Sequence, residues 1–460
     1  MMTVAAVAVS CSTEKKEQGN PFFAEWKTPF GVPPFDQITN EDYLPAIDSG
    51  IVLARLNIAE ITSSEEAPSF ANTIAKFDRA DEFLGKVAGV FYSQTSANTN
   101  DTLEALQMEI APKVSAFSDE ILLNSALFNR IKTVWETRDS SQLNAEELFL
   151  LDNLYKSFVR NGALLGPEDQ EKLKKMNQEL AVLTVKFSQN VLEETNSFRL
   201  VIDNESDLKG LPESVIAGAA EMAKSEGMEG KWVFTTQKPS MLPFLQYAEN
   251  RDLRMKLYAA YLNRGNNGNE FDNNKILADI VRIRADRAKL LGYKTHADIV
   301  LETRMAKTPG NVLNLLNDLL VRSLAVASRE REEMQKIVDS EGGNFSIGSH
   351  DWWYYAEKLR KAKYDLDENE LRPYFSLDNA RDGAFAVAGK LYGITFTRIN
   401  DIPLPHPDAQ AFEVREADGS HVGVLYMDFY PRESKRQGAW CGSYRDHQVI
   451  DGKEITPDGK

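Results

Sequence analysis

The stretch opening at Gly166-Pro167-Glu168-Asp169 reads as a helix start, with proline in the first turn and two acids near the positive end of the dipole. No breaker follows for roughly thirty residues, through Leu180, Leu183 and Phe187 to near Thr195. So long an uninterrupted helix reads as a pillar inside a large helical body. Its neighbours agree. Leu44, Ile47, Ile51, Leu53 and Leu56 recur at helical spacing, with Asn40 or Glu41 available to open the helix, and Phe70, Ile74, Phe77, Leu84, Val87 and Phe91 do the same. Further helices are predicted over 212–225, 240–262, 275–291, 309–340 and 352–364. Short strands are predicted at Phe198–Ile202 and Trp232–Thr236.

The character changes near Gly393. Ile394–Arg398, Ala411–Val414 and Val422–Phe429 are β-rich, and Asp418-Gly419 is a hairpin signal. The last ten residues, from Asp451, read as a polar, turn-like segment that supplies no closing strand. The expected fold is therefore mainly α, a large multi-helix body with a small β-sheet near the C-terminus.

Composition narrows the function classes. The 460 residues are 42% hydrophobic, 10% aromatic and 27% charged, which fits a globular chain rather than a disordered one. At about 150 residues per domain, the length allows roughly three domains' worth of core. A formal charge of −16 argues against nucleic acid as a partner, since that would need a basic face. Two cysteines exclude a disulfide scaffold and a Cys-rich zinc module.

One of those cysteines has a suggestive setting. An apolar run from Val4 to Val9 leads into Ser10-Cys11-Ser12 and then a polar stretch. This is the pattern of a bacterial lipoprotein signal, in which Cys11 is lipidated and residues 12–19 form a tether. The positive n-region is missing and the apolar run is short, so a frayed tail with an incidental cysteine stands as the other reading. Lipidation would anchor the chain at a membrane on the periplasmic side; without it, the cytoplasm is the alternative.

Self-sufficient catalytic motifs are absent. There is no phosphate loop, no dinucleotide fingerprint and no G-x-S-x-G elbow. The five histidines, His296, His350, His406, His421 and His447, are followed by Ala297, Asp351, Pro407, Val422 and Gln448, so H-E-x-x-H does not occur. Carboxylates such as Glu330, Glu332 and Glu333 alternate with arginines and read as a solvated helix face. The run Trp352-Trp353-Tyr354-Tyr355 reads chiefly as packing between helices.

Several segments, in order, carry a resemblance. Asn250-Arg251-Asp252-Leu253-Arg254 leads to Tyr258, Tyr261, Arg264 and Gly265; Leu290-Leu291-Gly292-Tyr293 precedes His296-Ala297-Asp298 and Arg304-Met305-Ala306-Lys307-Thr308-Pro309. Asp351-Trp352, Leu391-Tyr392-Gly393 and Pro431-Arg432-Glu433 with Lys435-Arg436-Gln437-Gly438-Ala439-Trp440 follow. Together they resemble the thimet oligopeptidase family of zinc metallopeptidases, most like its bacterial peptidyl-dipeptidase branch, from about residue 20 onward.

The resemblance implies a zincin-type oligopeptidase fold, short peptides as substrates and one zinc ion. After the lipoprotein signal and tether read from the residues over 1–20, it implies an N-terminal helical region over 21–240 and the first part of a peptidase domain over 241–460. In the family, zinc is held by H-E-x-x-H and a glutamate on the next helix. Those positions have no counterpart here, so no catalytic or metal-binding residue is assigned, and truncation before the zinc-binding half is expected. What the chain can contribute is a cleft wall: Val422–Phe429 with the Gly438–Tyr444 loop, and Asp428, Arg432 and Trp440 as its candidate residues. Release of C-terminal dipeptides is the reaction implied, with endo-cleavage as a rival. A helical lipoprotein without chemistry, acting as a binding or scaffold module, is the alternative that the residue inventory alone suggests.

Overall fold

The computed structural model describes residues 19–365, 368–450 and 452–459. Cys11 lies outside them. The predicted pillar is a helix over Pro167–Ser197, started by Pro167 as expected. Before it run helices at Asn40–Ser63, Glu82–Ala97, Asp101–Leu122, Ser125–Glu136 and Ala145–Arg160. Asparagine opens three of these: Asn100, Asn124 and Asn144 each accept a hydrogen bond from a first-turn amide, satisfying a donor that has no partner inside the helix.

Where one helix was predicted over 240–262, there are two, Lys238–Tyr247 and Arg251–Leu262. Between them Asn250 turns out of helical geometry and caps the second through the Leu253 amide, 3.2 Å away. The helices Pro309–Ser340 and Trp352–Tyr364 match their predicted ends. No helix among the described residues is long and apolar enough to cross a membrane.

β1 (Leu200–Ile202) and β2 (Trp232–Phe234) form a small antiparallel pair. The larger sheet contains β3 (Thr395–Ile399), β4 (Gln410–Arg415), β5 (His421–Met427), β6 (Ser443–Arg445) and β9 (Asp458–Gly459), in the order β3-β4-β5-β9-β6. Between β6 and β9, β7 (Gln448–Ile450) and β8 (Lys453–Ile455) form a separate hairpin. The last ten residues therefore do supply a strand, contrary to the expectation from their polar sequence. β9 runs parallel to β5 at Val424 and Leu425. Gly423 makes this approach possible, because a Cβ there would sit 2.6 Å from the Pro457 carbonyl oxygen.

Among the described residues, most apolar burial falls into three clusters. The first joins the helices of residues 40–160, through Ile47, Phe91, Leu127, Ile131 and Phe158, to the inner face of the sheet, through Ala411, Val424, Tyr426 and Tyr444. The second surrounds β1 and β2, with Leu200, Phe234, Phe244 and Leu257. The third is small: Met334, Val338, Tyr354 and Tyr355. The aromatic run is divided between two of them, since Trp353 packs against the second while Trp352, Tyr354 and Tyr355 belong to the third. Asp351, wholly buried, ties those two together. It accepts hydrogen bonds from Arg254, itself 1% exposed, at 2.9 Å and from Arg251 at 2.8 Å.

Candidate functional site

The loop leaving β5 begins with Asp428, and Arg432 returns to it with a fork of two hydrogen bonds, Nη1 to Oδ1 at 2.9 Å and Nη2 to Oδ2 at 2.7 Å. Lys435 lies 3.0 Å from Asp428 Oδ1 and donates to the Asp428 carbonyl oxygen at 2.7 Å. Burial alone would raise the Asp428 carboxyl; the hydrogen bonds from Arg432 and Lys435 outweigh it and hold the group below the usual carboxylate range. Asp428 is thus a charged anchor for the loop rather than a general acid at neutral pH.

Helix ends grip the loop from two sides. Toward the first core, Arg432 donates to the Ala97 carbonyl, the Thr99 amide donates to the Ser434 carbonyl at 2.9 Å, and the Arg436 amide donates to the Ser96 carbonyl at 3.1 Å. Toward the long helix, Asn196 donates to the Glu433 carbonyl at 2.9 Å, and Arg199 pairs with the Glu433 carboxylate at 3.0 Å. Further on, Gln437 accepts from Arg264 at 3.1 Å and donates to the Thr236 carbonyl at 3.3 Å.

All three residues proposed from sequence thus fall in one contiguous cluster. Asp428 and Arg432 pair directly. Trp440, half-buried, lies under the Arg436 guanidinium at 4.4 Å and near Lys435 Nζ at 5.8 Å, so Lys435 bridges it to Asp428. Cys441 follows, a free and exposed thiol. Beyond it, β6 pairs within the sheet, among the described residues, only with β9 and forms one edge. The strand proposed beside the loop, Val422–Phe429, is not such an edge: β5 pairs with β4 along its length and with β9 on its other side at Val424 and Leu425. The sheet edge beside the loop is therefore β6 rather than β5. Reasoning from sequence missed Arg264, whose partner Gln437 is 173 positions away, so no local spacing could reveal it. Arg264 and Gln437 both stood in quoted motifs, which is the only signal the sequence offered.

The histidines have other partners or places. His350 is 3.4 Å from Asp351; His421 contacts Glu413 at 3.0 Å and stacks on Phe30; His447 contacts Glu454 at 3.0 Å. Burial and the neighbouring Arg284 and Arg287 lower His296. Among the described residues, no group of three or more His, Cys, Asp or Glu side chains is placed to hold a metal ion. These residues therefore do not fit the zinc ion that the resemblance implies.

Comparison with known proteins gives the geometry its setting. Residues 244–457 match the family model described as peptidase family M3. The chain is 36% identical, over 94% of its length, to a dipeptidyl carboxypeptidase of Escherichia coli strain K12, covering 63% of that protein. It is 30% identical to the oligopeptidase A of the same strain, over 90% of this chain and 61% of that protein. An organellar oligopeptidase A of Arabidopsis thaliana is 32% identical over 89% of this chain and 53% of its own length. The chain thus spans less than two thirds of the length of these relatives. Its ordered motifs, mainly helical body and C-terminal sheet agree with a similarity to peptidase family M3, whose model matches residues 244–457.

Proposed function

We propose that this chain forms the peptide-holding body of a zinc metallopeptidase that hydrolyses short peptides and releases C-terminal dipeptides. The observation that carries the reading is the position of β6, at the end of the sheet's strand order and next to a loop clamped from two sides; a sheet edge is where an extended peptide can add as a strand. Trp440 would flank that peptide, and Asp428 and Arg432 would keep the loop in shape. Dipeptide release rather than internal cleavage is favoured by the higher identity to the dipeptidyl carboxypeptidase than to oligopeptidase A, 36% against 30%. The described residues supply no ligand set for the zinc, and the proposal assigns it none among them.

Fluorescence anisotropy with a dye-labelled, N-acetylated octapeptide tests the wall directly. Saturable binding, competed by unlabelled peptide but not by a folded protein, is expected; no binding would sink the reading. Reading the coding sequence beyond Lys460 tests the chemistry. An in-frame H-E-x-x-H is expected, whereas a stop codon there would favour a binding module without catalysis.

The reading extends to location. Lipidation at Cys11 would hold the protein on the periplasmic face of a membrane, where it would degrade small peptides. A Cys11→Ala variant should leave the membrane fraction, and an unchanged distribution would return the protein to the cytoplasmic alternative.

A further inference from the structure

Arg264 sits where the Arg251–Leu262 helix gives way to a loop, 173 positions before the residue it grips. Its guanidinium lies 4.0 Å over the Tyr261 ring, and its Nε donates to the Tyr261 carbonyl at 2.9 Å, so the planar head has a fixed orientation. From there Nη1 reaches two acceptors, Thr195 Oγ1 at 3.0 Å and Gln437 Oε1 at 3.1 Å. Thr195 and Thr236 are both buried, and Thr236 Oγ1 donates to the Thr195 carbonyl at 3.1 Å. The Gln437 amide is therefore held at both ends, its oxygen by Arg264 and its nitrogen by the Thr236 carbonyl.

The loop around Arg264 is itself anchored. The buried Glu194 carboxylate accepts from the Gly265 amide at 3.2 Å and from the side-chain amides of Asn267 and Asn269. Asn190 on the same helix donates to Asn273 at 3.0 Å. Rigidity is thus passed from the long helix, through this loop and Arg264, to Gln437.

What comes next in the chain gives that clamp its consequence. Gly438 has φ +112°, a conformation open to glycine and strained for a side chain, and it turns the chain into Ala439 and Trp440. The direction in which the Gly438–Tyr444 wall leaves the turn depends on where Gln437 is fixed. We propose that Arg264 is a positioning residue for peptide binding, acting through Gln437 to set the wall that leads from Trp440 to β6. The inference rests on the proposed function above, because it presumes that this wall holds the peptide.

The labelled octapeptide separates the two. With the unaltered chain binding, Arg264→Met and Gln437→Leu should each weaken affinity by about tenfold, the scale of one lost hydrogen bond to a charged group. The double variant should be no weaker than either single one, because both break one link. Gln437→Leu leaves Arg264 its contacts with Thr195 and Tyr261, so it tests the link even if Arg264→Met folds poorly. Lower melting temperatures with affinity unchanged would give Arg264 a structural role alone and overturn the inference. Additive losses in the double variant would overturn it too, by showing independent effects. No binding by the unaltered chain would defeat the proposed function, and the inference with it, a result distinct from any pattern among the variants.

Discussion

The first core and the joint between the Arg251–Leu262 and Trp352–Tyr364 helices are both deeply buried, yet they are held by opposite chemistry. Phe91, Leu127, Ile131 and Phe158 in the first core are non-directional and interchangeable within limits of volume. At the joint, Asp351 is fully buried and receives two guanidinium groups, one stacked 4.1 Å over Tyr354 and the other 4.1 Å over Phe345. Attraction between buried ions largely offsets the cost of removing them from water, so such a pair contributes orientation more than net stability. The contrast teaches that the second region is aimed by charge, while the first is filled by volume.

The largest expected effect breaks the joint. Asp351→Ala strands two arginines, one wholly buried, and should cost about 3–5 kcal/mol. Hydrogen exchange should then quicken over 251–262 and 352–364 while protection over 40–160 holds; a uniform loss would erase the comparison. The pH dependence has a definite sign. Burial would raise the Asp351 carboxyl, but hydrogen bonds from Arg251, the Gly348 amide and Arg254 outweigh it and leave the group below its ordinary value. Its contribution is therefore present above the unfolded value, about pH 4, and lost as pH falls through the folded one.

Asp458, in the sheet that closes the first core, sharpens the comparison. It is 1% exposed, with Arg445 3.0 Å away, and burial pushes it up to about 6 despite the opposing pull of Arg445 and His421. Two arginines reverse the desolvation shift; one does not. Because the folded value lies above the unfolded one, stability should fall as pH rises from about 4 to about 6, by about 3 kcal/mol in total. Asp458→Asn should flatten that slope in urea titrations at several pH values, and an unchanged slope would refute the assignment.

Smaller effects bound the contrast. Ile131→Val, in the first core, should cost only about 0.5–1.5 kcal/mol, because the volume lost is one methylene. A cost above Asp351→Ala would invert the picture. Arg55→Ala removes a fork to Glu120 in which both side chains are about half exposed, and should cost at most about 1 kcal/mol in thermal or denaturant melts.

Much of this architecture was legible because helical period is a local signal. Pro167 marked the long helix, and Pro309 and Trp352 the starts of two later ones, since caps and apolar spacing act over a few residues. The break at Asn250 was less visible: Met241 to Leu257 keeps an apolar rhythm across it, and only the Asn250 cap shows two helices. β9 escaped notice because two paired residues carry no alternation, and its place is set by Gly423 and Pro457 rather than by β propensity. The candidate site was half legible. Asp428 and Arg432 are four apart and pair locally, whereas the links from Arg199 to Glu433 and from Arg264 to Gln437 join residues whose meeting is decided by the whole fold.

The sheet's place in the first core has a consequence in time. The Ser93 hydroxyl donates a hydrogen bond to the Tyr444 hydroxyl oxygen at 2.9 Å across 351 positions, and Tyr426 and Val424 pack beside residues of the opening helices. A chain emerging from the ribosome presents those helices long before the strands that cover them. The part of their apolar face that the sheet covers must wait until those strands are made. The helices over 40–160 are thus sealed only once strands far along the chain have been made, and a chaperone that shields nascent chains would find a long-lived target on them.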